Sequence, residues 1–208
     1  IGKSRLAERV TTNASSQGYL TLSGACWEAG GAPPFWPWIQ ALRGLVRLLD
    51  EAALRRLLRG REAVVAPLLP EVADWLSDLP TQPSLEPEQA RFRLLDAVTS
   101  LLCDAAHEQP LFVLLEDLHA ADPATVALLD FVAPLVCTAP LVIIGTLRDA
   151  EAEALPIGPQ LARVLAKSRS ITLTRLSVAD VREYLAAAVG EEPSAEVVDA
   201  MLETTEGS

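Results

Sequence analysis

The chain has 208 residues, half of them apolar and 22% of them charged, which is the composition of a globular protein with one sizeable core. Its net charge of −11 argues against a nucleic-acid-binding surface, because such surfaces are normally basic. No apolar run is long enough to cross a membrane, and no signal peptide is visible.

The first residues, Ile1-Gly2-Lys3-Ser4, match the end of the phosphate-binding pattern G-x-x-x-x-G-K-[ST]. In such a loop, backbone N–H groups and the start of the following helix hold an anion. The lysine ammonium reaches the terminal phosphates, and the serine hydroxyl is an oxygen ligand for Mg²⁺. A helix is predicted from about Lys3 to Ser16, with Leu6 among its buried residues. The Gly-Lys-Ser tripeptide alone is weak evidence for a phosphate-binding loop, and the rest of the chain has to support it.

An aromatic segment follows the first predicted strand. Alternation predicts a short strand over residues 19–24, and residues 26–38 then form an irregular loop rich in Gly, Pro and Trp. Its three tryptophans could form a platform for a ligand. Anchoring of the loop to the core is the simpler interpretation.

Apolar residues then recur at helical spacing over residues 39–60 and 61–79, before a linker at 80–84 and a long helix from about Glu86 to Ala106. The long helix is expected to turn Phe92 inward with its other apolar residues. Six arginines give the first part a positive face: Arg43, Arg47, Arg55, Arg56, Arg59 and Arg61. A solvated helical surface explains them, and a docking patch for an acidic partner is the alternative.

Three segments in the second half predict strands. Residues 111–115 are an apolar run that ends in Glu116-Asp117, residues 141–147 are an apolar run that ends in Arg148, and residues 171–176 are the third predicted strand. Continuous apolar runs are typical of parallel strands that are covered on both faces. Alternating helices and strands therefore predict a parallel α/β sheet with its ligands at the carboxyl ends of the strands.

Helix caps can be read directly from the sequence. Asp122 followed by Pro123 predicts a capped helix start. Ser177 predicts the start of a further helix that runs through Val189, and a last helix is predicted from about Ser194 to Glu203.

The charged residues at the strand ends provide each group that phosphoryl chemistry on a Mg²⁺-nucleotide needs. Lys3 and Ser4 provide the phosphate cradle. Glu116 and Asp117 have the form of a Walker B acidic pair, and Arg148 could sense or stabilise a γ-phosphate. Each feature also has a plain structural explanation, as a loop start or a surface ion pair, but their order behind Gly-Lys-Ser favours the functional one.

Other reactive side chains are interpreted as structural. The three cysteines, Cys26, Cys103 and Cys137, lie in apolar surroundings without metal-ligand spacing, which predicts reduced core thiols in a cytoplasmic protein. His119 could act as a base, but a role in orienting its loop is the preferred interpretation.

Residues 111–122, LFVLLEDLHAAD, closely resemble the hhhh[DE]DLHWAD signature of STAND-class P-loop ATPases. These are AAA-like modules of large LuxR-type transcriptional regulators and of multidomain proteins linked to adenylate or guanylate cyclase. Residues 1–6 resemble their GIGKSRL motif, and the aromatic segment 26–39 is similar to theirs. Residues 145–149 resemble their sensor-1 strand end, and residues 173–180 resemble the entry to their helical lid.

The resemblance implies a role for each matching residue. Gly2, Lys3, Ser4 and Arg5 would bind ATP or ADP, and Ser4 and Glu116 would hold Mg²⁺. Asp117 would polarise the attacking water, and Arg148 would be the sensor. Glu116 stands where aspartate is usual, so its longer side chain could slow turnover, and Ala120 replaces a common tryptophan.

The implied fold is that of a P-loop NTPase of the ASCE/AAA-like type, with a parallel sheet of order 5-1-4-3-2 flanked by helices. The first strand would precede Ile1 and is missing from the chain. Residues 1–176 would form the nucleotide-binding core with a helical insertion at about 39–80, and residues 177–208 the start of a small helical lid. Without its first strand, the fragment is expected to bind ATP poorly.

The function expected from this resemblance is a slowly hydrolysing ATP switch in signal transduction. The expected partners are the nucleotide, appended sensor and output domains, and a second copy of the chain in the ATP state, without direct nucleic-acid or membrane contact. A non-hydrolysing nucleotide-binding scaffold is the main alternative. A P-loop kinase is less favoured, because the region after Ile171 offers only scattered arginines.

Overall fold

Three parallel strands form the centre of the fold in the computed structural model. They are β1 (Leu20–Ala25), β2 (Leu111–Glu116) and β3 (Leu141–Gly145), in the order β1-β2-β3. Leu111 of β2 pairs with Leu20 on one side and with Leu141 on the other, so the strands start at the same level. The predicted parallel α/β sheet is confirmed, although β3 ends two residues earlier than the sequence suggested.

The structure describes residues 2–75, 85–148 and 157–205. Residues 7–169 form one compact unit, and residues 1–6 with 170–208 form another. In chain order the helices are α1 (Lys3–Ser16), α2 (Trp36–Leu48), α3 (Glu51–Leu58), α4 (Glu62–Val65), α5 (Pro70–Trp75), α6 (Pro87–Glu108), α7 (Pro123–Val132), α8 (Gly158–Ala166), α9 (Val178–Val189) and α10 (Ala195–Thr205). Short 3₁₀ turns cover Leu118–Ala120 and Ala133–Cys137.

Both faces of the sheet are covered, as the unbroken apolar sequence of β2 requires. Successive strand residues point to opposite faces. Leu111, Val113 and Leu115 therefore belong to the large core cluster that includes residues of α2, α6 and α7. Phe112 and Leu114 belong to a second cluster with Ala7 and Ala14 of α1. The larger unit is thus a layered α/β/α structure.

Glycine at position 24 lets the start of α2 lie directly against β1. A Cβ atom built on Gly24 would lie 1.9 Å from the backbone oxygen of Pro37, well inside any permitted contact. The indole Nε1 of Trp38 donates a hydrogen bond to the backbone oxygen of Thr125 at 3.1 Å. Trp38 is fully buried and anchors the aromatic segment to the core, as the simpler interpretation predicts, whereas Trp27 is 59% exposed and does not.

The helical region between the first two strands is more divided than its periodicity suggests. Asp50 caps α3 by accepting a hydrogen bond from the Ala53 N–H at 2.7 Å, which breaks the helix predicted over 39–60. Pro67 and Pro70 divide the next segment into α4 and α5, since proline disrupts a helix interior. The linker predicted at 80–84 lies outside the described residues.

Two apolar residues expected on buried faces are exposed instead. Phe92 is 60% exposed, and its ring makes an edge-to-face contact with Phe131 at 5.6 Å between centroids. Leu6 is 44% exposed. Each lies close along its helix to a buried residue, Leu6 to Ala7 and Phe92 to Leu95, so both are at the margin of a buried face. Periodicity identifies such a face more reliably than its margins.

The prediction of a third strand at residues 171–176 is wrong. Its backbone is outside any strand, and Ile171 and Leu176 are 75% and 44% exposed. A strand requires a neighbour that pairs with its N–H and C=O groups. None of the three strands in the described residues pairs with this segment.

The helices after it agree with the sequence. Ser177 caps α9 in a reciprocal capping box with Asp180, and Gly190 ends the helix with φ of 81°. The serine hydroxyl and N–H both donate to Asp180, which lowers the pKa of that carboxyl. Within the described residues, none of the helices has the length and apolar character needed to cross a bilayer.

The arginine-rich face of α2, α3 and the following turn is largely a set of surface ion pairs. Four of its arginines face acidic partners: Arg43–Glu71 (2.7 Å), Arg55–Glu51 (2.8 Å), Arg61–Asp104 (2.7 Å) and Arg56–Glu108 (4.0 Å). Neutralised pairs of this kind support the solvated surface rather than a docking patch for an acidic partner.

Asp122 ties the aromatic segment to α7, and its loss should destabilise both. Its Oδ1 accepts from the N–H groups of Ala124 and Thr125, and its Oδ2 accepts from the N–H of Phe35 at 3.3 Å. We expect Asp122→Ala to lower the free energy of unfolding by about 2 kcal/mol, the upper range for a lost N-cap. Asp122→Asn keeps one carbonyl acceptor and should cost clearly less. Denaturant unfolding measures both, and equal losses would contradict the capping role.

Candidate functional site

The carboxyl ends of the three strands meet at one edge of the sheet. Ala25 pairs with Glu116 and Leu115 pairs with Gly145, so the strands end within one residue of each other. The segments that follow carry Glu28, Asp117 and Arg148. The structure therefore brings the acidic pair and the arginine predicted from sequence to the same edge, in the larger unit.

The turn after β2 is sharply defined. Asp117 has φ of 56° and ψ of 46°, a left-handed conformation that is uncommon for residues other than glycine, asparagine and aspartate. Its N–H donates to the hydroxyl of Thr146 at 3.0 Å, and the N–H of Leu118 donates to the backbone oxygen of Thr146 at 2.8 Å. A strained backbone conformation of this kind persists only where contacts with neighbouring residues stabilise it. Thr146 thus couples the acidic turn to the end of β3.

The Glu28 carboxylate connects the three segments. Its Oε1 lies 3.0 Å from Nη2 of Arg148 and 3.0 Å from Nε2 of His119. The other ring nitrogen of His119, Nδ1, lies 3.9 Å from Oδ1 of Asp117. Because an ionised carboxylate only accepts hydrogen bonds, Nε2 of His119 carries the proton that it donates to Glu28.

The hydrogen bond from His119 and the nearby charge of Arg148 hold the pKa of the Glu28 carboxyl below its ordinary value. A depressed folded-state pKa means that the ionised form is stabilised by folding. The stabilisation by these contacts is therefore complete at neutral pH. It is lost as the pH falls below the ordinary glutamate pKa and through the depressed folded value.

His119 is suited to orienting this turn rather than to free proton exchange with solvent. It is 4% exposed, and its ring lies between Glu28 and Asp117. The ligand atoms of Glu28, Asp117 and His119 lie within 4.8 Å of one another, a spacing that could hold a metal ion. The guanidinium of Arg148 already brings positive charge to Glu28, which opposes a cation at the same point.

The predicted phosphate-binding residues lie in the smaller unit, at the start of α1. Gly2 has φ of 76°, and its carbonyl accepts from the N–H of Leu6 at 2.9 Å. Lys3 is partly buried, and Ser4 and Arg5 are exposed. A glycine in the left-handed region directly before a helix is compatible with the predicted loop.

Each residue proposed as a Mg²⁺ ligand carries, taken by itself, an oxygen atom of the kind that this ion prefers. Ser4 offers a hydroxyl oxygen at the start of a helix, and Glu116 offers a partly buried carboxylate at the end of β2. Mg²⁺ prefers hard oxygen ligands and usually takes only one or two from the protein. When bound, the ion would supply positive charge to the phosphates of the nucleotide.

The thiol of Cys26, beside this edge, is inert. Burial raises its pKa to about 12, and the charges of Asp122 and Asp117 add to the shift. Cys26 and Cys103 are free thiols, and Cys26 is buried, as predicted. The side chain of Cys137 lies outside what the structure describes. A cavity of about 180 Å³ beside Cys26, lined also by Trp27 and Trp36, is smaller than typical ligand sites.

Sequence reasoning proposed Glu116, Asp117 and Arg148 as site residues and did not propose Glu28, which the structure places at the same edge of the sheet. Glu28 is separated from Arg148 by 120 positions, and its motif, Cys26-Trp27-Glu28, gave no chemical signal beyond its resemblance. Its position just after β1 was the available clue, because parallel strands in register end together. Asp149, next to Arg148, lies outside the described residues.

A parallel sheet flanked by helices, with an acidic pair after a buried strand and charged residues gathered at its carboxyl edge, is the architecture of P-loop NTPases. A family model described as "AAA ATPase domain" matches residues 1–144, which is well over half of the chain. The chain belongs to this family of AAA ATPase domains. A search of curated proteins and a search of solved structures each gave no significant match.

Proposed function

We propose that the chain is a nucleotide-dependent switch domain of a larger signalling protein, which binds ATP with Mg²⁺ and hydrolyses it slowly. Membership of the AAA ATPase domain family supports nucleotide binding. The resemblance of residues 111–122 to the STAND signature supports the signalling role. Cytoplasmic location, appended sensor and output domains, and self-association in the ATP state are parts of the same proposal.

The observation that carries hydrolysis is the grouping of Asp117 and Arg148 at the carboxyl edge, joined through Glu28 and His119. Hydrolysis needs a carboxylate that orients and deprotonates water and a cation that stabilises developing negative charge. Asp117 is assigned the first role and Arg148 the second. Gly2, Lys3, Ser4 and Arg5 are assigned to nucleotide binding, with Ser4 and Glu116 as Mg²⁺ ligands.

A non-hydrolysing nucleotide-binding scaffold is the alternative that this sequence favours most. Glutamate at position 116, where the related motif usually has aspartate, places the carboxylate one methylene further from the backbone. Such a change could retain the metal while slowing chemistry. Nucleotide binding without turnover in the full-length protein would favour this alternative.

Lysine 3 allows a clean test of nucleotide binding, because the chain has only one other lysine. We expect Lys3→Ala in the full-length protein to weaken Mg·ATP binding at least about tenfold, since it removes a charged partner of the phosphates. Calorimetry measures the change.

The matched control is Lys167→Ala, which removes the ion pair with Asp130 at 2.5 Å. This control should leave ATP affinity unchanged. Equal affinity of the wild type and the Lys3 variant would reject the phosphate-binding assignment, and a wild type that binds no nucleotide would reject the proposed function.

A further inference from the structure

The Glu28 carboxylate forms an ion pair with Arg148. Their contact is 3.0 Å between Oε1 and Nη2, at an edge where neither side chain is buried: Glu28 is 50% exposed and Arg148 is 48% exposed. A half-exposed ion pair is weak enough to exchange partners. Arg148 makes further interactions besides this one, so the contact with Glu28 contributes to its position without fixing it alone.

Glu28 and a phosphate would compete for the same guanidinium. A guanidinium donates to carboxylate and phosphate oxygens in the same planar geometry. If Arg148 senses a γ-phosphate, its guanidinium has to move toward that phosphate and share its positive charge with it, which weakens the contact with Glu28. The carboxylate therefore competes with the terminal phosphate of ATP for Arg148. ADP has no γ-phosphate, so it does not compete with Glu28.

The same oxygen also connects to the acidic turn. His119 donates to Oε1 of Glu28, and its opposite nitrogen faces Asp117. His119 is nearly inaccessible to solvent, so its ring position depends on these neighbours. If Arg148 moved away from Glu28, the charge next to Nε2 of His119 would change, whereas Asp117 faces the other ring nitrogen, Nδ1.

On the basis of these contacts, we infer that Glu28 is a positioning residue that competes with the terminal phosphate of ATP for Arg148 and thereby sets how strongly the chain distinguishes ATP from ADP. This inference rests on the proposed function, because it takes Arg148 as the residue that meets the γ-phosphate. It adds a specificity-determining residue that the acidic-pair and arginine motifs do not contain.

Glu28→Gln in the full-length protein separates the charge from the hydrogen bond. Glutamine removes the charge that faces Arg148 but keeps a carbonyl oxygen that can accept from His119. We expect it to tighten binding of a non-hydrolysable Mg·ATP analogue about two- to fivefold, the range for an exposed ion pair, and to leave Mg·ADP affinity unchanged. In an Arg148→Ala background the same change should have no effect. Calorimetry of the wild type, the two single variants and the double variant with each nucleotide measures these affinities.

Glu51→Gln is the matched control, because it breaks an ion pair of similar length and exposure, with Arg55 at 2.8 Å, far along the chain from the strand ends. It should alter neither affinity. The inference is wrong if Glu28→Gln changes the ATP-analogue and ADP affinities equally, or if it weakens or leaves unchanged the affinity for the ATP analogue. It is also wrong if the change has the same effect in the Arg148→Ala background. None of these outcomes would contradict the proposed function. A wild type that binds neither nucleotide would overturn the proposed function, and the inference with it.

Discussion

Asp117→Asn is expected to slow single-turnover ATP hydrolysis by the full-length protein about 100-fold while leaving Mg·ATP affinity within a few-fold of wild type. A positioned carboxylate base contributes roughly 10²–10⁴-fold to a rate, and the amide cannot take the proton. Asparagine suits this test, because it tolerates the left-handed conformation at φ 56° that Asp117 adopts. The backbone turn and its hydrogen bonds to Thr146 should therefore survive the change.

Asp96→Asn is a suitable control, because Asp96 is an exposed residue of α6 and has no assigned role in the chemistry. Its hydrolysis rate should equal that of wild type. An Asp117 variant that hydrolyses ATP as fast as wild type would remove the assignment of this residue as the base. It would then leave the non-hydrolysing scaffold, or another acid, as the better explanation.

Gly24→Ala is expected to lower the free energy of unfolding by about 3 kcal/mol, at the upper end of overpacking effects. The new methyl group would lie 1.9 Å from the backbone oxygen of Pro37 and 2.6 Å from its carbonyl carbon. Backbone atoms cannot rotate away as a flexible side-chain end can, so α2 would have to move off β1. For a domain of this size, the loss corresponds to a fall of roughly 6–12 °C in Tm.

Gly44→Ala, the same chemical change, is expected not to destabilise the chain. A Cβ atom at Gly44 meets only a Leu22 methyl group at 3.6 Å, an ordinary van der Waals distance. Alanine favours the interior of α2 over glycine by about 1 kcal/mol, so this variant should be unchanged or slightly stabilised. Thermal unfolding of both variants checks the pair, and an equal response would show that contact with Pro37 is not the cause.

The strands and helix caps were predictable because their signals are local. An unbroken apolar run identified β2 as a strand covered on both faces, and Asp122-Pro123 and Ser177 marked helix starts through hydrogen bonds within a few residues. The prediction of a strand at residues 171–176 failed because it also rested on a local sequence signal. A strand exists only when another segment supplies hydrogen-bond partners.

By itself, the sequence determined the α/β class, the acidic pair at the end of a strand, and the residues proposed to bind phosphate, because each depends on side-chain chemistry and short-range spacing. Tertiary structure alone decided that Glu28 meets Arg148 and His119, that Asp117 adopts a left-handed turn tied to Thr146, and that Gly24 must stay without a side chain. The contacts of Glu28 and of Thr146 follow from parallel strands in register, whose carboxyl ends gather at one edge whatever the distance between them in the sequence. The constraint on Gly24 follows from the packing of α2 against β1.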